Sequence, residues 1–262
     1  MEWILVTNDD GAYAPALISL AHALSRLAPV RVVVPDGERS WTSKAITRFE
    51  PVRVEVLHID GIEIHAASGY PADCAQLGIH TIFDEPPVLV VSGINVGSNH
   101  GAAYLQSSGT MGAALEASLS GVDAIAFSTS SRTRPWAEWR PYALSPDSRD
   151  MWDRLAGIAT AIVAPVLVRA PQGVLLNVNM PDFAGPATPR RLTTLADVGY
   201  ERLFRRAGPG EYVHDYGGGL RNFASLEGTD VQAATDGLVS ITPIRGAHTS
   251  DLPEDLRAEL VG

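Results

Sequence analysis

Two adjacent carboxylates close a short apolar run. Trp3-Ile4-Leu5-Val6-Thr7 leads into Asn8, Asp9, Asp10 and Gly11. Carboxylates this close repel each other, and such a pair is tolerated where water or a cation screens it. A solvated Asx turn is the alternative. A second stretch, Gly93-Ile94-Asn95-Val96-Gly97-Ser98-Asn99-His100-Gly101, also follows an apolar run. Its glycines let a ligand approach the backbone, and the amide oxygen of Asn95 suits a hard cation. A tight turn needing glycine is the competing explanation. The polar loop 36–47 adds Ser40, Ser43, Lys44 and Thr47 as ligands for a metal or a phosphate, or else it is an ordinary surface loop. Ser107-Ser108-Gly109-Thr110 precedes a run of small residues. Hydroxyls there cap a helix or cradle an anion, and the two roles are compatible.

These residues need elements that bring them together. Trp3–Thr7, Val30–Pro35, Pro87–Ser92, Val122–Ser128 and Val174–Val178 read as buried parallel strands. Pro15–Leu27 carries a helical apolar stripe, so the first strand, this helix and the second strand form a right-handed βαβ unit. In an open α/β sheet of this kind, ligands gather outside the carboxyl ends of strands where the strand order reverses. Asp9, Asp10 and Asn95 all sit at such ends. Residues 52–57 and 62–66 predict a hairpin around Asp60-Gly61. Helices are expected over 75–83, starting near Pro71, and over 111–120, 152–163 and 251–260, the last capped by Ser250 or Asp251. Residues 130–150 read as a proline- and aromatic-rich loop, either a lid, a subunit contact or a plain excursion, and 189–230 as an antiparallel extension. A final strand is expected over 237–244. No Gly-x-Gly-x-x-Gly follows the first strand, so a dinucleotide fingerprint is missing.

Composition narrows the class. The chain has 262 residues, 45% hydrophobic and 19% charged, which fits a globular protein with a substantial core. A net charge of −10 argues against non-specific nucleic-acid binding. Phosphate binding in such a chain calls for a local cation, a helix N-terminus or a metal. The single cysteine, Cys74, fits a reducing compartment. No apolar run reaches the ~18 residues of a membrane span, and no charged n-region precedes the first strand. The expectation is a cytoplasmic protein with no membrane and no nucleic-acid partner.

Taken together, the stretches ILVTNDDG (4–11), VVPDGERS (33–40), GYPADC (69–74), VVSGINVGSN (90–99), SGTMGAALE (108–116) and GLVSITPI (237–244) resemble the SurE family of phosphatases acting on nucleoside monophosphates. The resemblance implies an α/β fold: a Rossmann-like, mostly parallel sheet with helices on both faces and an antiparallel C-terminal extension used in oligomerisation. The implied division is a phosphatase core over 1–188, an oligomerisation arm over 189–236, and a last core strand with a C-terminal helix over 237–262. It also implies a divalent metal, Mg²⁺ or Mn²⁺, held by Asp9, Asp10, Ser40 and Asn95, and a homodimer or homotetramer. Three places depart from the family pattern. Trp41 replaces a small residue; Ala102-Ala103-Tyr104 lacks an acid, with one extra residue before Ser108; and the segments 130–150 and 189–230 are unlike the family's usual ones.

An all-oxygen donor set suits Mg²⁺ or Mn²⁺ over zinc. The expected reaction is in-line attack on a phosphomonoester by water primed on the metal, with Asp9, Asp10 and Asn95 as the catalytic group. Ser108, Gly109 and Thr110 cradle the phosphate, with Asn99 nearby. Three alternatives stand beside it. One is a phosphatase specialised for a sugar phosphate or secondary metabolite. Another is a covalent aspartyl-phosphate enzyme, disfavoured because its acids would be spaced one residue apart. The third is a non-catalytic nucleotide- or metabolite-binding module.

Overall fold

A computed structural model describes residues 2–169, 172–217 and 219–246. The helix expected over 251–260 lies outside the described residues. In chain order the first half comprises β1 (Ile4–Thr7), α1 (Pro15–Leu24), β2 (Val30–Pro35), β3 (Val54–Ile59), β4 (Ile62–Ala67), α2 (Pro71–His80), β5 (Leu89–Val96), α3 (Gly101–Ser107), α4 (Gly109–Leu119) and β6 (Ala124–Ser130). Then come α5 (Trp136–Ala143), α6 (Arg149–Arg169), β7 (Leu175–Pro181), β8 (Arg190–Leu192), β9 (Val198–Tyr200), β10 (Phe204–Gly208), β11 (Glu211–His214), β12 (Leu220–Asn222), α7 (Asp230–Thr235) and β13 (Val239–Pro243).

Nine strands form one sheet in the order β3-β4-β2-β1-β5-β6-β7-β13-β8. From β4 to β7 every neighbouring pair is parallel. β3 pairs antiparallel with β4 at one edge, and β13 antiparallel with β7 near the other. β1 has β2 on one side and β5 on the other, so strand order reverses there and opens a crevice at the carboxyl ends of β1 and β5.

The strands of the sheet centre are buried on both faces, as their apolar runs require. Ile4 and Val6 face α1 and α6 in one core, with Leu17, Leu20, Trp152 and Leu155. Trp3 and Leu5 face α2 and α4 in the other, with Cys74, Ile79, Met111 and Ala114. α6 is long and apolar enough to cross a membrane by composition. Its Trp152, Leu155, Ala159 and Val163 are instead fully buried in the first core.

The structure differs from the sequence expectations in four places. β5 continues through Gly93, Ile94 and Asn95 to Val96, so Asn95 lies within a strand whose register shifts against β6 between Ser92 and Asn95. Residues 130–150 are not a plain loop: α5 forms there, with Pro141 inside it and Trp139 buried. α3 fills residues 101–107, a stretch for which the sequence predicts no element. β8 belongs to the main sheet, parallel to β13. The antiparallel pairs of the extension are β9 with β12 and β10 with β11.

Candidate active site at the sheet switch point

Asp9 and Asp10 leave β1 through a tight turn. Asn8 Oδ1 accepts from the Gly11 N–H at 3.1 Å while Asn8 Nδ2 donates to the Gly11 carbonyl at 3.0 Å. An Asx-type turn and a functional strand end therefore coexist. The Arg39 N–H donates to the Asp9 carbonyl at 2.7 Å, which ties the loop after β2 to the end of β1. The same loop is pinned to the end of α3 from its other side, where the Ser43 N–H donates to the Ser107 carbonyl at 3.1 Å.

A cavity of about 700 Å³ opens over this junction. Asp9, Ser40, Asn95, Asn99 and Ser108 all line it, so four separate segments of the chain converge on one space. Thr110 Oγ1 donates to Asp9 Oδ1 at 2.6 Å, and the Thr110 backbone N–H also supports that carboxylate. Gly109 packs directly on Asp9, where a Cβ would stand 2.8 Å from the Asp9 Cβ. The first turn of α4 thus serves Asp9. Gly109 and Thr110 are not among the residues lining the cavity, and both contact the Asp9 carboxylate at the helix start. Ser108 caps α4 by accepting from the Met111 N–H at 3.1 Å, and it lines the cavity as well.

Asp10 turns its Oδ2 to the Val96 N–H at 3.1 Å, beside Asn95. Asn95 Nδ2 donates to the Gly97 carbonyl at 2.8 Å, leaving its Oδ1 as a free acceptor among the described residues. Ser40 Oγ donates to Glu38 at 2.8 Å, and Glu38 also lines the cavity. Asn99 is locked between strands: its N–H donates to Asn179 Oδ1 and its Nδ2 to Ser128 Oγ, each at 2.7 Å. Three other loop candidates point elsewhere. Lys44 pairs with Glu116, Thr47 bonds Asp73, and Ser43 packs on α4.

Burial pushes the Asp9 carboxyl up to about 6, against the hydrogen bonds from Thr110. Burial and the neighbouring Asp9 push Asp10 well above the ordinary carboxylate range. Neither makes an ion pair with Lys or Arg among the described residues. The buried carboxylate of Asp9, a hydroxyl and a free amide oxygen around a polar space, with the half-buried Asp10 next in the chain, fit a hard divalent cation. No group of three His, Cys, Asp or Glu with metal-holding geometry occurs among the described residues, so hydroxyl and amide oxygens must complete the set.

The model of the family described as "Survival protein SurE" matches residues 4–202. The chain belongs to the SurE family. The match takes in β1 to β9 and every cavity residue discussed so far. Among SurE relatives, a 5'-nucleotidase SurE of Geobacter metallireducens is 38% identical over 245 residues, covering 92% of this chain and 90% of the relative. One of Methanococcoides burtonii is 36% identical over 255 residues, covering 95% of each. The crystal structure of the SurE protein from Aquifex aeolicus superposes with a TM-score of 0.72 at 30% identity, over 99% of this chain and 98% of that one.

Several side chains of this SurE cavity were not among the site residues expected from the sequence. Glu38 was one more acid in a polar loop, yet it holds both Ser40 and Arg140, the latter at 2.6 Å from α5. Trp136 and Arg140 line the cavity only because residues 136–143 fold as a helix. Tyr200, His214 and Tyr216 reach it from the C-terminal extension.

Proposed function

We propose that this chain is a metal-dependent phosphomonoesterase hydrolysing nucleoside monophosphates. The observation that carries the reading is the convergence of Asp9, Ser40, Asn95 and Ser108 on one cavity, with the buried carboxylate of Asp9 in no ion pair with Lys or Arg among the described residues. The names of the relatives, 5'-nucleotidase SurE, support the substrate class.

Asp9, Asp10, Ser40 and Asn95 would hold the cation, Mg²⁺ or Mn²⁺. When bound, it acidifies water and neutralises charge on the transferring phosphoryl group. Thr110 fixes Asp9 Oδ1, so the other carboxylate oxygen is free to orient the attacking water and take its proton. Ser108 spends its lone pair on Met111 and keeps its own proton to donate to a phosphoryl oxygen. Asn99, locked by Asn179 and Ser128, sets the wall against which the phosphate rests. Arg140 adds positive charge to a cavity otherwise lined by Asp9 and Glu38.

We infer a cytoplasmic homodimer or homotetramer, with a core over 1–188 and an arm over 189–236. The exposed Phe204, Tyr212 and Phe223 of the extension support an interface there, and the free, buried Cys74 supports a reducing compartment. The test of function is release of phosphate from AMP by purified protein with Mn²⁺ or Mg²⁺ and with chelator. Metal-dependent release is expected. No release with any divalent metal would refute the reading.

A further inference from the structure

Trp41 sits next to Ser40 in the chain and adopts φ +61°, the left-handed region that a bulky side chain rarely occupies. Its loop is fixed on both sides. Thr42 Oγ1 donates to the Arg39 carbonyl at 2.7 Å, and the Ser43 N–H to the Ser107 carbonyl at 3.1 Å. The indole packs against three aromatic rings, with centroids at 5.3 Å to Tyr200, 4.9 Å to His214 and 5.7 Å to Tyr216. It still keeps 44% of its surface exposed, and that ring lines the cavity. A strained backbone held in place by its surroundings and an open aromatic surface are costly features, and costs of this kind concentrate where a ligand binds.

The tyrosines behind Trp41 are oriented through their hydroxyls. Tyr104 and Tyr216 share a hydrogen bond of 2.7 Å, and Tyr200 donates to the Ala103 carbonyl at 2.9 Å. The cavity therefore has two unlike ends. Asp9, Ser40, Asn95 and Ser108 form a polar end; Trp41, backed by Tyr200 and Tyr216, forms an aromatic one. One residue step, about 3.8 Å between Cα atoms, joins Ser40 to Trp41. A substrate whose phosphoryl group lies at the polar end would carry its leaving group onto the indole.

We propose that Trp41 is a specificity-determining residue, a stacking platform for the flat aromatic base of a nucleoside monophosphate. The inference rests on the phosphomonoesterase reading for the placement of the phosphoryl group. Stacking on an aromatic side chain is tolerant of base identity, so purine and pyrimidine monophosphates would both be accepted. A sugar phosphate without a base would gain nothing from it.

AMP and ribose 5-phosphate differ by the base alone and make the test. Trp41→Gly suits the left-handed backbone, so the variant is expected to fold. Its KM for AMP should rise about 10- to 100-fold, with kcat nearly kept. Its kinetics with ribose 5-phosphate should stay unchanged, and Trp41→Phe should recover much of the loss. Equal losses on both substrates, or none on either, would overturn the proposal. Should the wild type release phosphate from neither substrate, the phosphomonoesterase reading fails by itself, and equilibrium binding of adenosine then decides. Adenosine binding lost in Trp41→Gly supports the platform. Binding equal in both proteins, or absent from both, overturns it.

Discussion

Thr110 Oγ1 donates to Asp9 Oδ1 at 2.6 Å, from the first turn of α4 to the end of β1, and both groups are buried. The helix start that a phosphate-binding protein offers to its ligand is here aimed at a carboxylate. The carboxylate in turn faces the cavity, so α4 acts on the site through Asp9. Thr110→Val keeps the shape and removes the hydroxyl. The loss of this supporting bond should weaken activation by Mn²⁺ about 10- to 100-fold. A metal titration of phosphate release checks it, and saturating Mn²⁺ should restore most of the rate. An unchanged activation constant would separate Thr110 from the metal site.

Asp9→Asn removes the charge and preserves the volume. Metal-dependent phosphate release should fall below detection, since a ligand and the proton acceptor are lost together. Without metal, the variant should be at least as resistant to thermal unfolding as the wild type at neutral pH, because a buried, unpaired charge has gone. Activity and melting midpoint thus move in opposite directions. A substitution that merely damaged the fold would lower both.

The same burial gives a pH signature. Asp9 titrates near 6 in the folded chain and at 3.8 in its ordinary state, so between those values the native state binds more protons than the unfolded one. The stability of the metal-free protein must therefore fall as pH rises from about 4 to about 6. Asp10, also raised by burial and by Asp9, acts in the same direction. A divalent cation binds the ionised pair, so its stabilising effect must grow over the same range. Thermal melts with Mn²⁺ and with chelator across this range should diverge as pH rises. Parallel curves would show that the carboxyls are not the metal ligands.

The strand ends of this site were legible in the sequence because parallel strands leave apolar runs, and acids or amides after such runs stand out. β1, β2 and the turn to Asp9 and Asp10 follow that rule. Asn95 stood out by residue type, although β5 extends past it: Gly93 and the glycine-rich run that follows look like a turn wherever a strand carries an irregular register. α5 escaped notice because Pro135 and Pro141 read as breakers, while burial of Trp139 and the ion pair of Arg140 with Glu38 are tertiary effects. The aromatic wall was hidden for a related reason. Tyr104, Trp41, Tyr200 and Tyr216 are spread over 41–216, and no local period links them.

Gly112 offers a last, structural prediction about how the loop of Ser40 and Trp41 is held. A Cβ at this position on α4 would stand 2.0 Å from the Ser43 carbonyl oxygen and 3.0 Å from the Lys44 nitrogen, both backbone atoms. Backbone cannot swing aside as a side-chain tip does, so Gly112→Ala must push residues 43–44 off the helix or shift α4. Overpacking of this kind costs about 1–3 kcal/mol, which denaturant unfolding would measure. The loop also carries Ser40 to the cavity, and its Arg39 N–H holds the Asp9 carbonyl. Phosphate release should therefore fall more than stability does, about 10- to 100-fold, since ångström-scale misplacement of positioning groups is enough for that loss. Gly121→Ala makes the control. Gly121 has a positive φ of +79°, no atom lies within 4 Å of its built Cβ, and the position is not among the cavity-lining residues. It should lower stability through backbone strain while leaving kcat/KM intact. Equal activity in the two variants would mean that the contact between α4 and residues 43–44 does not set the site.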